Sequence, residues 1–88
     1  MKTAKEMFEA LGYSECDADV IPTYISPLIP MMVYVTDYNV HETIAYIIFY
    51  KSGRVLKWSK DYERPMLIAT GEIKAIHQQM IELGWLDE

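Results

Sequence analysis

The sequence predicts an α+β fold in the order helix, three antiparallel strands, helix, with both helices on one face of the sheet. Two observations carry this. A run of strand-forming residues from Thr43 to Tyr50 is followed, across Ser52-Gly53, by a second run from Arg54 to Lys60. Segments with helical periodicity stand on either side, one at the start of the chain and one near its end. The 88 residues, 51% hydrophobic and 24% charged, suffice for one hydrophobic core, so residues 1–88 are read as a single domain.

The first helix begins at Thr3. Thr3 and Glu6 have capping-box spacing, each side chain able to accept from the other's backbone N–H. Ala4, Met7, Phe8 and Leu11 then share a face, Gly12 supplies a left-handed C-cap, and Tyr13 folds back on the last turn. From Ser14 to Pro30 the pattern is that of a loop. Glu15, Asp17 and Asp19 read as solvated, without the glycine or closing glutamate of a calcium loop. Pro22, Pro27 and Pro30 exclude a central strand, though Val20 to Ser26 can lie extended over the sheet.

Met31 to Asp37 is the first expected strand, joined by Tyr38 to Glu42 to the hairpin that organises the chain. A two-residue Ser52-Gly53 loop would set Lys51 opposite Arg54. Phe49 then faces Leu56, Ile47 faces Trp58 and Ala45 faces Lys60, all toward the core. Tyr50 with Val55, Ile48 with Lys57 and Tyr46 with Ser59 form the opposite face. Pairing Val35 with Ala45 and Val33 with Ile47 puts both valines in the core and aligns Tyr34 with Tyr46 and Met32 with Ile48. After a connector containing Pro65, Thr70 caps the second helix, whose Ile73, Ile76, Met80 and Leu83 form a buried stripe with His77 at its margin. Gly84 ends it before Trp85. The expected core is Phe8, Leu11, Ile47, Phe49, Leu56, Trp58, Ile76 and Met80.

On this register the second sheet face gathers Met32, Tyr34, Ile44, Tyr46, Ile48 and Tyr50, with Val55. Water-facing sheets usually turn polar there, so an apolar face is either covered, here by Val20 to Pro30, or is an interface. Tyrosine and methionine suit a protein partner, whether another protein or a second copy in a homodimer.

Composition narrows the remaining classes. The formal net charge of -5 argues against binding to phosphates, yet Lys51, Arg54, Lys57 and Lys60 make the hairpin basic. Cys16 is the sole cysteine, and His41 and His77 have no partners at metal-ligand spacing, so neither disulfide, metal nor cofactor is expected. Asp37, His41, Glu42 and Cys16 have no spacing that marks an enzyme. No apolar run approaches the roughly 20 residues of a membrane span, and the charged opening MKTAKEMFEA does not read as a secretion signal.

The opening TAKEMFEALGY and the closing EIKAIHQQMIELGW resemble small proteins encoded by phages, prophages and integrative elements of Gram-positive bacteria. The resemblance implies a mobile-element origin and a bacterial cytoplasm, and it supplies no catalytic residues. The expected function is non-enzymatic binding of a protein, such as inhibition of a host defence or nucleic-acid-processing protein in the manner of an anti-CRISPR. Glu15, Asp17, Asp19, Asp87 and Glu88 could then occupy a groove evolved for phosphates. The alternative is a single-stranded nucleic-acid-binding module. In it Tyr34, Tyr46 and Tyr50 would stack bases while Arg54, Lys57 and Lys60 meet phosphates.

Overall fold

A computed structural model describes residues 2–36 and 43–86. The chain runs through α1 (Ala4–Ala10), β1 (Tyr13–Cys16), a 3-10 turn (Ala18–Val20), β2 (Pro30–Thr36), β3 (Ala45–Tyr50), β4 (Val55–Ser59), β5 (Arg64–Pro65) and α2 (Thr70–Glu82). The strands form one antiparallel sheet in chain order. The α+β class is as expected, but the sheet has five strands rather than three. Both additions are short edge strands taken from segments read as loop and connector. The Tyr38 to Glu42 loop, with Asp37, His41 and Glu42, lies outside the described residues, as do Asp87 and Glu88.

The start of α1 follows its sequence. Thr3 Oγ1 accepts from the Glu6 N–H at 3.2 Å, and Glu6 Oε1 accepts from the Thr3 N–H at 2.9 Å. The predicted face is the buried one: Ala4 and Phe8 are fully enclosed, with Met7 and Leu11 packed beside them. Phe8 stacks on Tyr34 with centroids 4.0 Å apart and meets Phe49 edge-on at 6.3 Å. Gly12 takes φ 90°, the left-handed conformation of a helix end. Tyr13 folds back on the helix as expected, edge-on to Phe8 at 5.7 Å, and is also the first residue of β1.

The hairpin register differs by one residue from the expected one. Tyr50 N–H donates to Arg54 C=O at 2.8 Å and Gly53 N–H to Tyr50 C=O at 3.0 Å. The loop therefore has three residues, Lys51, Ser52 and Gly53, with Gly53 left-handed at φ 86°. Such a loop closes with a glycine bulge and pairs the strands one residue out from a two-residue turn. Ile47 now faces Lys57, Tyr46 faces Trp58 and Phe49 faces Val55. On the other side, Tyr34 pairs with Ile47 and Val33 with Ile48, past an irregularity between Pro30 and Met32. Because a one-residue slip reverses the faces of a strand, β3 keeps its expected orientation while its neighbours turn over. Met32, Tyr34, Val55 and Lys57 join the helix side, and Val33, Val35, Leu56 and Trp58 move to the other.

The second helix buries Ile76 and packs Met80 and Leu83 on the same core as expected, but Glu72 takes the buried place expected of Ile73. Its N-cap is Ala69, with Thr70 the first helical residue. The buried residues are Glu72, Ala75, Ile76 and Gln79; Ile73 is 54% exposed and His77 lies in solvent. The reason is polar. Tyr13, Tyr34 and Lys57 rise from the sheet beneath the helix and need acceptors, since a buried polar group without one is costly. Glu72 accepts from the Tyr13 hydroxyl, from Lys57 Nζ at 2.9 Å and from the Ala69 N–H at 2.8 Å. Gln79 Oε1 accepts from the Tyr34 hydroxyl at 2.7 Å. At the far end, Gly84 N–H donates to Ile81 C=O and Trp85 N–H to Met80 C=O, the paired bonds of a Schellman cap.

Burial alone would push the Glu72 carboxyl up, but its hydrogen bonds from Tyr13, Ala69 and Lys57 outweigh this and hold it below the ordinary value. Burial pushes Tyr34 up to about 12.

Replacing Glu72 by Gln should cost about 3 kcal/mol at neutral pH, because Lys57 is left buried without its anion. The lowered folded pKa gives the sign with pH. The contribution is complete above the unfolded carboxyl pKa of about 4.3 and is lost as pH falls through the folded value. Urea midpoints of Glu72→Gln and wild type should therefore converge in acid; a constant gap would mean that the charge is not what stabilises. Gly53→Ala should cost about 1 kcal/mol from its positive φ. Nothing lies within 4 Å of the added Cβ, so no steric clash contributes.

Candidate functional site

The sheet face away from the helices is apolar and only partly covered. Val33, Tyr46, Ile48 and Tyr50 are buried there, with Val35, Leu56 and Trp58 beside them. The chain between β1 and β2 lies over this face. Asp17 caps the 3-10 turn by accepting from the Asp19 N–H at 3.0 Å, which turns the chain off the sheet edge and over the face. Ile21 is then buried against the sheet, and Ala18, Ile25 and Leu28 pack around it. The proline-containing segment thus acts as a cover, the first of the two alternatives that its sequence leaves open.

The cover is incomplete. A groove of about 530 Å³ remains, lined by Cys16, Val20, Pro22, Tyr24, Ile25, Val35, Tyr46, Trp58, Lys60 and Glu63. Val35, Tyr46 and Trp58 are consecutive partners across β2, β3 and β4, so the groove runs across the strands. Tyr24, at 67% exposure, and Val20, at 49%, form the outer wall.

Glu63 closes the other end. Its Oε1 accepts from the Tyr24 hydroxyl at 2.9 Å, linking the cover to the β4–β5 turn. This bond raises the Tyr24 pKa. Glu63 has φ 50°, a left-handed conformation that costs a side-chain-bearing residue about 1 kcal/mol. The turn beside it is braced by Asp61, which accepts from Thr43 Oγ1 at 2.7 Å and from the Ile44 N–H at 2.8 Å.

The interaction face expected from sequence is divided between two environments. Met32 and Tyr34 lie beneath the helices, and Tyr46, Ile48 and Tyr50 lie on the opposite face. Of these five, Tyr46 alone lines the groove. Ile44 is half-buried at the strand entrance. The basic hairpin is divided as well. Lys51 and Arg54 are exposed at its tip, Lys60 lines the groove, and Lys57 is enclosed in its ion pair with Glu72. Trp58, Val35, Tyr24 and Glu63 were not expected at a site. The three-residue loop, signalled by glycine at its third position, would have found the first.

Burial, with Asp17 and Glu15 adjoining, pushes the Cys16 thiol up, away from the thiolate that a nucleophile requires. Among the described residues, no group of three or more His, Cys, Asp or Glu is placed to hold a metal ion. No helix among them is long and apolar enough to cross a membrane.

If Glu63 is held in strain, Glu63→Gly should raise the urea midpoint, since glycine adopts this φ freely and the Tyr24 bond it loses is exposed. A lowered midpoint would show that the clasp matters more to stability than the strain.

Comparison of the chain with protein-family models, with curated proteins and with solved structures finds no match.

Proposed function

We propose that this is a small non-enzymatic binding protein whose groove over Val35, Tyr46 and Trp58 receives a segment of another protein. The observation that carries the reading is the incomplete cover: an apolar, aromatic-floored groove of about 530 Å³ with exposed Tyr24 and Val20 along its wall. Aromatic side chains that present large area with few rotatable bonds suit protein recognition. The raised thiol pKa of Cys16 supports binding over nucleophilic chemistry. The resemblance of the two helical ends to proteins of phages and integrative elements motivates the choice of partner: a bacterial host protein, such as a defence or nucleic-acid-processing component.

The same geometry favours this reading over single-stranded nucleic acid. Tyr34 and Tyr50 are 1% and 2% exposed, too enclosed to stack bases. Lys57 is neutralised by Glu72.

A photo-crosslinking residue at position 24 tests the proposal in bacterial lysate. It should give one discrete adduct that wild-type protein competes away and Val20→Glu abolishes. Adducts that persist with Val20→Glu would move the interface elsewhere. Light scattering at several concentrations should return the 10.3 kDa monomer. A dimer that Val20→Glu dissociates would instead make the partner a second copy.

A further inference from the structure

The binding reading leaves open what kind of segment the groove would accept, and its charges bear on that. Its floor is apolar, but three carboxylates flank or line it. Asp17 and Asp19 adjoin in sequence the end formed by Cys16 and Val20, and Glu63 lines the other. All three residues are exposed, and Lys60 is the base among the lining residues. Glu63 stands out among them. Its backbone is held at φ 50° and its carboxylate is oriented by the Tyr24 hydroxyl, an arrangement costly to maintain for stability alone. One oxygen takes that bond, and a carboxylate retains further acceptor capacity for a cation. Trp58 adds an aromatic surface on which a guanidinium or ammonium can lie.

Resting on the assignment of the groove as the binding site, we infer that its occupant is a basic extended segment. An apolar side chain of that segment anchors on Val35, Tyr46 and Trp58, and an adjacent Arg or Lys pairs with Glu63. The flanking acids favour approach of a cationic segment and disfavour phosphate-bearing partners. The exposed Lys51 and Arg54 at the hairpin tip of a second copy carry the right charge, which makes self-association the competing occupant.

Selection from a display library of random peptides of about twelve residues tests the inference with purified protein. Peptides whose binding is weakened by Val20→Gln, which removes apolar wall without adding charge, should carry net positive charge around an apolar residue. The best of them should weaken by about tenfold with Glu63→Gln, which keeps an acceptor for Tyr24 but removes the charge. Binding should also fall as salt rises from about 50 to 300 mM. Groove-dependent peptides that are neutral or acidic would overturn the charge inference and leave the groove standing. No groove-dependent peptide at all would overturn both. Self-association that Arg54→Glu dissolves would assign the groove to a second copy and overturn the inference.

Discussion

The carboxylate of Glu72 is the point on which the helical side of the molecule turns. It accepts at once from Tyr13 on β1, Lys57 on β4 and the N-cap N–H of its own helix, that of Ala69. One side chain thus ties two non-adjacent strands to the start of α2. A carboxylate buried in this way is tolerable only with its partners in place. That requirement places Glu72 on the buried side of the helix beside Ile76, Met80 and Leu83. Ile73 is left largely in water as a result, while Ala75 and Gln79 face the sheet. Glu82 extends the linkage by accepting from the Ala4 N–H of α1 at 2.7 Å, so the two helices are joined at their ends.

A second constraint is the three-residue hairpin loop. Its extra residue sets the pairing of β3 with β4, and with it which side chains of β4 reach each of the two cores. The helix-side core is built from interlocking rings, Phe8, Tyr13, Tyr34 and Phe49. The other is aliphatic and aromatic, with Ile21 of the covering segment seated on Val33, Tyr46, Ile48 and Tyr50. Two cores on one sheet explain the fully buried β3, whose six residues are enclosed on both faces. They also explain why hydrophobicity recurs at every position of that strand instead of alternating.

The groove arises where these constraints leave the cover short. Ile21 anchors the segment over the middle of the face, and Tyr24 reaches Glu63 at the far side, leaving Trp58 and Val35 in the gap between. The strained residue, the oriented carboxylate and the exposed aromatic wall therefore meet at one place. Such coincidences of strain and exposure are where proteins tend to place recognition rather than stability.

Local chemistry was legible from the sequence alone: the Thr3–Glu6 cap, the glycine helix ends at Gly12 and Gly84, the buried face of α1 and the orientation of β3. Each is decided within a few residues of the chain, by hydrogen bonds and backbone conformations that neighbours impose. The tertiary structure decided the faces of β2 and β4, the burial of Glu72 rather than Ile73 on α2, the two edge strands and the groove. A strand period of two makes register depend on a single loop residue. One position of a helix stripe, Ile73, can yield to a buried carboxylate that needs hydroxyl and ammonium donors from distant strands. An edge strand such as Arg64–Pro65 has too few residues to carry a pattern and exists only because β4 offers it partners. The function read from this surface depends on those long-range choices, which is why sequence placed Tyr46 at the site and missed Trp58 and Glu63.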